Sequence, residues 1–353
     1  MPVYNAEAYL RAAIESILNQ TFTDFEFLIF NDASTDNSLI IINSYSDERI
    51  KVFNSTTNLG YIIHLNHGIE IAKGKYIARM DADDVSLPTR FEKQVAFLEQ
   101  HSNIALVGTA AISIDEFGNE KDLIGEISPL NQLFTHLFFG NRFIHTSVMG
   151  WSDVFRKFKY NANYYVAEDY FLWSQIAMKY KVSNLQEPLV KYRTHDTNIS
   201  KLRKQKQEES VKKIYNFHLK NLGVRNLNEK LSEMHFQILY NNSLPTKERD
   251  VYKALDWLKK LYTLNKKNQI YDSEIFDNCL AGIWRQLFNF NKNYKSGLKA
   301  IKYANCKLNK QVLPIEKKIF IERCLQNNKI TGIFLIGWYY LRNGIKKLIL
   351  FNA

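Results

Sequence analysis

The chain has 353 residues, 46% of them apolar, and a formal net charge of +11. That length and apolar share set aside a disordered or fibrous chain and predict a sizeable core in two structural regions. The charge is divided: residues 1–200 hold 17 Lys+Arg against 24 Asp+Glu, or −7, whereas 201–353 hold 30 against 12, or +18. An acidic half and a basic half predict separate tasks, and the second suits nucleic acid, an anionic membrane face or plain solubility.

Cys279, Cys306 and Cys324 are odd in number and lack close-pair spacing. That argues against a disulfide framework and a zinc site, and predicts a reducing, cytoplasmic setting. No signal peptide precedes the first motif and no apolar run is long enough to span a bilayer.

In chain order, Met1-Pro2-Val3-Tyr4-Asn5 leads into a helix whose buried stripe is Tyr9, Leu10, Ala13, Ile14, Ile17 and Leu18, with Asn5 as its expected cap. Phe25 to Phe30 is a buried-strand run ending at Asn31-Asp32, and Ala33 to Ser38 supplies turn and cap residues for a helix through Tyr45. Ile50 to Phe53 reads as a short strand, Asn58-Leu59-Gly60 as a turn, and Tyr61 to Lys73 as a helix closed by Gly74. The next strand, Tyr76-Ile77-Ala78-Arg79-Met80, runs into Asp81-Ala82-Asp83-Asp84. Alternating strands and helices predict a largely parallel sheet.

Three carboxylates in four residues repel one another unless water or a cation screens them. At a strand's carboxyl end they fit a hard cation, Mg²⁺ or Mn²⁺, carrying a phosphate, although a solvated acidic turn is the plain alternative. Pro88 opens a helix carrying Phe91, Val95 and Leu98; Ile104 to Ile114 is a long strand, and Phe117-Gly118-Asn119 a hairpin tip. Residues 129–139 are expected to be helical, and Phe143 to Met149 a strand bearing His145. Ala167 to Ala177 is a helix with Glu168 and Asp169 in its first turn, where acids ordinarily complement the dipole. Leu189 to Arg193 is a strand running into Thr194-His195. From 201 onward come Lys-rich helices, one with Val211, Ile214, Tyr215, His218 and Leu222 on a single face. Gly332 to Leu341, followed by Arg342, Lys346 and Lys347, suits either a membrane surface or a packed terminal helix.

These landmarks resemble family 2 glycosyltransferases, the inverting nucleotide-sugar enzymes of GT-A fold. The matching residues are Pro2-Val3-Tyr4-Asn5 with Glu7, Asn31 to Asp36, Asn58-Leu59-Gly60, Asp81-Ala82-Asp83-Asp84, His145 with Ser147, Glu168-Asp169, and Tyr192-Arg193-Thr194-His195. The resemblance covers about the first 200 residues. It implies an α/β, Rossmann-like GT-A domain over 1–200 with a mostly parallel sheet flanked by helices, followed by a basic helical region over 201–353.

The resemblance further implies that Pro2, Tyr4 and Asp32 line the nucleotide pocket, Asp32 accepting an N–H from a uracil edge. Asn5, Glu7, Asn58, Gly60, Arg79 and Ala82 belong to the same donor surface. Asp81 approaches the ribose or sugar, Asp83 ligates Mg²⁺ or Mn²⁺, and Asp169 is the catalytic base with Glu168 beside it. His145 and Arg193 lie near the diphosphate, and His195 near the metal. Family members carry an apolar strand just before the Pro-Val-Tyr-Asn stretch; here the chain starts at Met1, so either the native protein begins upstream or a hydrophobic sheet edge is open.

The expected function is transfer from a nucleotide sugar, a UDP-sugar first, to a hydroxyl of a glycan or lipid-linked acceptor in bacterial cell-surface polysaccharide biosynthesis. The +18 half suggests peripheral attachment at the inner face of the cytoplasmic membrane. A sugar nucleotidyltransferase is the alternative, but it wants a Gly-rich basic loop where this chain has Asn5-Ala6-Glu7-Ala8. A nucleic-acid-binding protein fits less well, because the basic residues are dispersed and no recognised module is present.

Overall fold

The computed structural model describes residues 1–125, 133–240 and 248–290. By contact the chain divides into two units, the first formed by Met1–Asn242 and Lys267–Ile275, the second by Ser243–Lys266 and Phe276–Ala353. Helices that follow residue 200 therefore begin inside the first unit. Among the described residues no helix is long and apolar enough to cross a membrane.

The first unit opens with β1 (Pro2–Val3), α1 (Leu10–Leu18), β2 (Phe27–Asn31), α2 (Ser38–Asn43), β3 (Ile50–Asn54) and α3 (Tyr61–Ile71). β1, β2 and β3 form a parallel sheet in that order. Apolar spacing makes α1 a helix: Leu10, Ala13, Ile14 and Ile17 face inward and are buried, as the sequence predicts. Asn5 is not its cap, because Tyr9 holds that position with no side-chain bond. Asn5 instead sits at φ 49° and accepts the Thr35 N–H at 2.8 Å. Nor does Gly74 close α3, which ends at Ile71 with Ala72 as its cap.

β4 (Tyr76–Ala78), β5 (Val85–Ser86), α4 (Arg90–Gln100), β6 (Ile104–Ile114), β7 (Glu120–Ile124), α5 (Leu133–Leu137) and β8 (Met149–Trp151) follow. Then come α6 (Ser152–Phe158), α7 (Glu168–Ala177) and β9 (Lys181–Arg193). The second sheet has the order β4-β8-β6-β9-β5, with β7 beside β6. It is mixed rather than largely parallel. Only β6 and β9 run parallel, while β4–β8, β6–β8, β5–β9 and β6–β7 are antiparallel. The β6–β7 pair shows the reason: a turn of a few residues reverses the chain, whereas a parallel return needs a dozen or more. The expected strand over Phe143 to Met149 is a 3-10 turn, His145–Ser147, leading into β8. Part of the helix expected over 129–139 lies outside the described residues, and α5 is the rest.

A cavity of about 840 Å³ is lined by Met1, Phe27 and Leu28 of β2, Tyr76 and Ile77 of β4, and Phe91, among others. The Met1 main-chain nitrogen donates to the Leu28 carbonyl at 2.8 Å.

Two cores hold the sheets. One packs α1, β2 and α4 through Ile14, Ile17, Ile29, Phe91 and Leu98; the other gathers α3, α7 and α9 (Lys204–Leu222) around Trp173, Leu172 and Ile214. α8 (Ile199–Leu202) precedes α9, and α10 (Glu229–Leu239) follows it. The predicted face of α9 is buried throughout, and Gly223 ends the helix at φ 97°, a conformation that only glycine enters at no steric cost. α11 (Glu248–Asn268) and α12 (Ser273–Phe290) account for the remaining described residues. Cys279 is half-buried in α12; Cys306, Cys324 and the Gly332 to Leu341 stretch lie outside the described residues.

Candidate active site

β2 delivers Asp32 to its carboxyl end, where the side chain is 3% exposed. Its oxygens accept Leu59 N–H at 2.7 Å and Gly60 N–H at 2.9 Å, and His64 Nε2 lies 2.8 Å away. Burial works to raise this carboxyl's pKa, but the bonds from His64, Leu59 and Gly60 outweigh it and hold the group below its usual value. Asn58 Nδ2 donates to the Asp32 carbonyl at 3.4 Å, and Gly60 takes φ 88° to start α3. Asp32, Asn58 and Gly60 thus shape one loop together. Asn5 and Glu7 likewise fasten two loops: Glu7 Oε2 accepts Asn37 N–H at 2.9 Å, and Glu7 N–H donates to Asp36 at 3.0 Å. Tyr4 is 53% exposed above them and Pro2 lies in β1.

The second acidic end follows β4. Arg79 is 6% exposed, donates Nε to His145 Nε2 at 3.2 Å, and bonds Asp81 and the Met80 carbonyl. Burial works to raise the Asp81 pKa, yet Arg79 holds it below the usual range. His145 is buried against Tyr160, whose hydroxyl lies 2.8 Å from Nε2, and its pKa falls to about 3 through burial and the Arg79 charge. His145 is therefore neutral at physiological pH, a polar link rather than a cation. Ala82 is buried in the turn.

Asp83 meets the far end of β9. Its Oδ2 is 3.0 Å from His195 Nε2 and 3.4 Å from Asn198 Nδ2. Arg193 donates to the carbonyls of Asp83 at 2.8 Å, Asp115 at 3.1 Å and Glu116 at 3.3 Å, and its guanidinium lies 4.6 Å from the Tyr9 ring centre. Those bonds make Arg193 a tie between loops. Its backbone N–H binds Asp84 Oδ1 at 2.7 Å, and burial with Asp83 and Asp81 nearby pushes the Asp84 carboxyl well up.

α7 presents the third group. Glu168 is 4% exposed and accepts the Tyr61 hydroxyl at 2.7 Å; burial and the charge of Asp169 raise its pKa to about 8. Asp169 is half-buried, accepts Asn141 Nδ2 at 2.9 Å, and rises to about 6, chiefly through burial. Adjacent carboxyls are thus driven to different protonation states, the pattern of acid–base sites. Sequence reasoning missed Tyr61, Asn141, Tyr160 and Asn198. Only Asn198, three residues after His195, carried a local signal.

Residues 1–161 match the profile described as Glycosyl transferase family 2. An uncharacterized glycosyltransferase of Haemophilus influenzae is 36% identical over 239 residues, covering 63% of this chain and 73% of that protein. The chain belongs to glycosyltransferase family 2.

Other relatives of this family 2 enzyme include the protein named "Putative glycosyltransferase EpsE" of Bacillus subtilis, 38% identical over 200 residues, 55% of this chain and 71% of that protein. The O-antigen biosynthesis glycosyltransferase WbnJ of Escherichia coli is 34% identical over 210 residues, covering 57% of this chain and 80% of WbnJ. In fold, S. aureus TarS 1–349 in complex with UDP-GlcNAc superposes with a TM-score of 0.54 at 16% identity, over 84% of this chain and 90% of that one. The fold is accordingly GT-A-like α/β. Membership makes the protein a glycosyltransferase rather than a sugar nucleotidyltransferase.

Proposed function

We propose that this glycosyltransferase moves a sugar from a nucleotide sugar, a UDP-sugar first, to a hydroxyl of a glycan or lipid-linked acceptor, inverting the anomeric centre, in bacterial surface-polysaccharide synthesis. The observation that carries the reading is a site with two chemically distinct acidic ends, Asp83 with His195 and Asp169 with Asn141. Inversion needs that division. Relatives with roles such as O-antigen biosynthesis support the product class, and the TarS complex with UDP-GlcNAc supports the donor class.

In this reading the Asp169 carboxylate takes the proton of the acceptor hydroxyl. The acceptor oxygen bonds to the anomeric carbon as that carbon's bond to the diphosphate oxygen breaks, and the nucleoside diphosphate leaves on the opposite face. Arg79 stands close enough to Asp81 to orient it toward the sugar or ribose. Glu168, protonated around neutral pH, supports the Tyr61 loop edge rather than accepting the proton.

A carboxylate oxygen and an imidazole nitrogen converging at 3.0 Å suit Mn²⁺ or Mg²⁺. Among the described residues no group of three or more His, Cys, Asp or Glu converges as a metal cage. One or two protein ligands suffice for a cation carried on a diphosphate, since phosphate oxygens and water complete the shell. Asp83 and His195 would hold it, and when bound it supplies Lewis-acid neutralisation of the leaving group. The nucleotide would lie over Pro2, Tyr4, Asn58 and Ala82, with Asp32 holding the loop beneath it and Arg193 tying down the diphosphate end. Residues 1–200 would carry the chemistry and 201–353 a docking role.

The test is a thermal-shift screen of nucleotide sugars with Mn²⁺, Mg²⁺ or chelator, on wild type and Asp83→Ala. A ligand specific to the native state raises its melting point by mass action. Stabilisation by one donor that is lost in chelator and in Asp83→Ala is expected. Equal stabilisation and turnover in all conditions would overturn the metal-assisted reading.

A further inference from the structure

α4 begins with Arg90, a side chain with 0% exposure, and Gln94 one turn later has the same burial. Fully buried arginine is rare, because desolvating the guanidinium is costly unless its donors are met. Among the described residues no carboxylate forms an ion pair with it. Nε donates to Gln94 Oε1 at 3.0 Å, NH1 to Ser86 Oγ at 3.3 Å, and NH2 to the carbonyls of Arg79 at 2.8 Å and Val148 at 3.3 Å. Gln94 Nε2 donates to the carbonyls of Ser147 at 2.8 Å and Val107 at 3.0 Å.

Two side chains therefore take four carbonyls from three separated segments. One segment is the end of β4 that leads into Asp81, one the end of the turn that carries His145, and one the middle of β6. Leu98 on the same helix fills core with carbon. A carbon side chain at position 90 would bury as much surface, so packing alone does not call for a cation. Burial and the neighbouring Arg79 lower the Arg90 pKa to about 9, and it remains charged at neutral pH; Asp84 and Asp81 are the acids that act against that fall.

We propose that Arg90 and Gln94 are positioning residues: a buried clamp that fixes the Arg79–Asp84 loop and the His145–Ser147 turn against β6, so that the carboxylates stand where the donor's diphosphate and its cation are received. This rests on the donor reading above. Neither residue touches the donor, and both act through the main chain that carries Asp81, Asp83 and His145. Lysine at 90 keeps the charge but loses the fork that reaches several carbonyls at once. Glutamate at 94 keeps the acceptor for Arg90 Nε but loses both donors to Ser147 and Val107.

The experiment compares wild type, Arg90→Lys, Gln94→Glu and, as a core control, Leu98→Ala. UDP with Mn²⁺ and GDP with Mn²⁺ are titrated by calorimetry at a temperature where circular dichroism shows each variant folded. The expected result is a Kd for the preferred nucleotide weakened about 10- to 100-fold in Arg90→Lys and Gln94→Glu, the range for residues that orient metal ligands. Leu98→Ala should melt earlier yet bind as wild type does. Wild-type affinity in both clamp variants would overturn the proposal, as would failure of both to fold, since the pair would then serve the fold and not the site. If only Arg90→Lys fails to fold, Gln94→Glu decides. If wild type itself binds neither nucleotide, the donor reading falls and the clamp falls with it, a result distinct from loss of the effect in the variants alone.

Discussion

Glu168→Gln separates the two acids of α7. Glutamine matches the shape of Glu168 and keeps an oxygen for the Tyr61 hydroxyl 2.7 Å away, while removing the ability to ionise. The folded pKa is raised from 4.5 to about 8 by burial and by Asp169. Because the folded carboxyl holds its proton more tightly than the unfolded one, its contribution to stability is fully present below pH 4.5 and is lost as pH rises through about 8. At 1.36 kcal/mol per pKa unit the swing has an upper bound of about 5 kcal/mol, and sharing of protons with Asp169 lowers it. Glu168→Gln should therefore flatten the fall in stability between these pH values and melt above wild type at pH 8. The assays are thermal melts from pH 4.5 to 8.5 and initial rates at pH 7. Turnover should stay within about threefold of wild type, because a protonated Glu168 is no base. A loss of about 10²-fold with unchanged donor affinity would refute this and move the base to Glu168.

Asp169→Asn should fold and bind donor by calorimetry while kcat falls by about 10²-fold or more, with wild-type turnover overturning its assignment as base. Since burial raises Asp169 to about 6, wild-type kcat should climb with pH to a plateau above that value, and Asn141→Ala should move the limb upward by less than about one unit because the lost donor no longer favours the carboxylate. Sedimentation with anionic vesicles should appear at low salt and fade as salt rises, given the +18 charge of residues 201–353; no sedimentation at low salt would assign that region another role.

Local pattern carried most of the fold. The apolar run ending in Asn31-Asp32 is a strand end here, the run before Asp81 is a strand that stops at Ala78, three residues short of the acid, the strand Ile104–Ile114 has its expected bounds, and the face of α9 is buried as its spacing predicts. The antiparallel entry of β8 between β4 and β6 was not legible, because strand pairing is decided by partners far along the chain. His145 sat in an apolar run and read as strand, yet a one-turn 3-10 bend places it against Arg79 and Tyr160. Arg90 and Gln94 are one turn apart on a helix, a spacing that ordinarily marks a solvated face, and nothing local reveals that four carbonyls from other segments await them.

The acidic residues were legible as a set, but not the charge each one carries. Asp84 and Glu168 are pushed toward their protonated forms, whereas Asp81 is held ionised by Arg79. Arg79 and Arg90 supply buried positive charge, while the guanidinium of Arg193 is turned to main-chain carbonyls and His145 is neutral. Asp81 and Arg79 cancel, and Asp83 with the ionised fraction of Asp169 offsets the other two cations. Little positive charge is left facing outward for a diphosphate bearing at least two negative charges. In a partly dry site, where charges a few ångströms apart interact by several kcal/mol, that deficit disfavours the bare nucleotide. A cation arriving with the diphosphate reverses the sign of the interaction, and the carboxylate of Asp83 beside His195 is where it would be met. The same balance gives the proposed metal requirement a second signature: in chelator, lowering pH toward the Asp169 pKa should partly restore nucleotide affinity by removing negative charge.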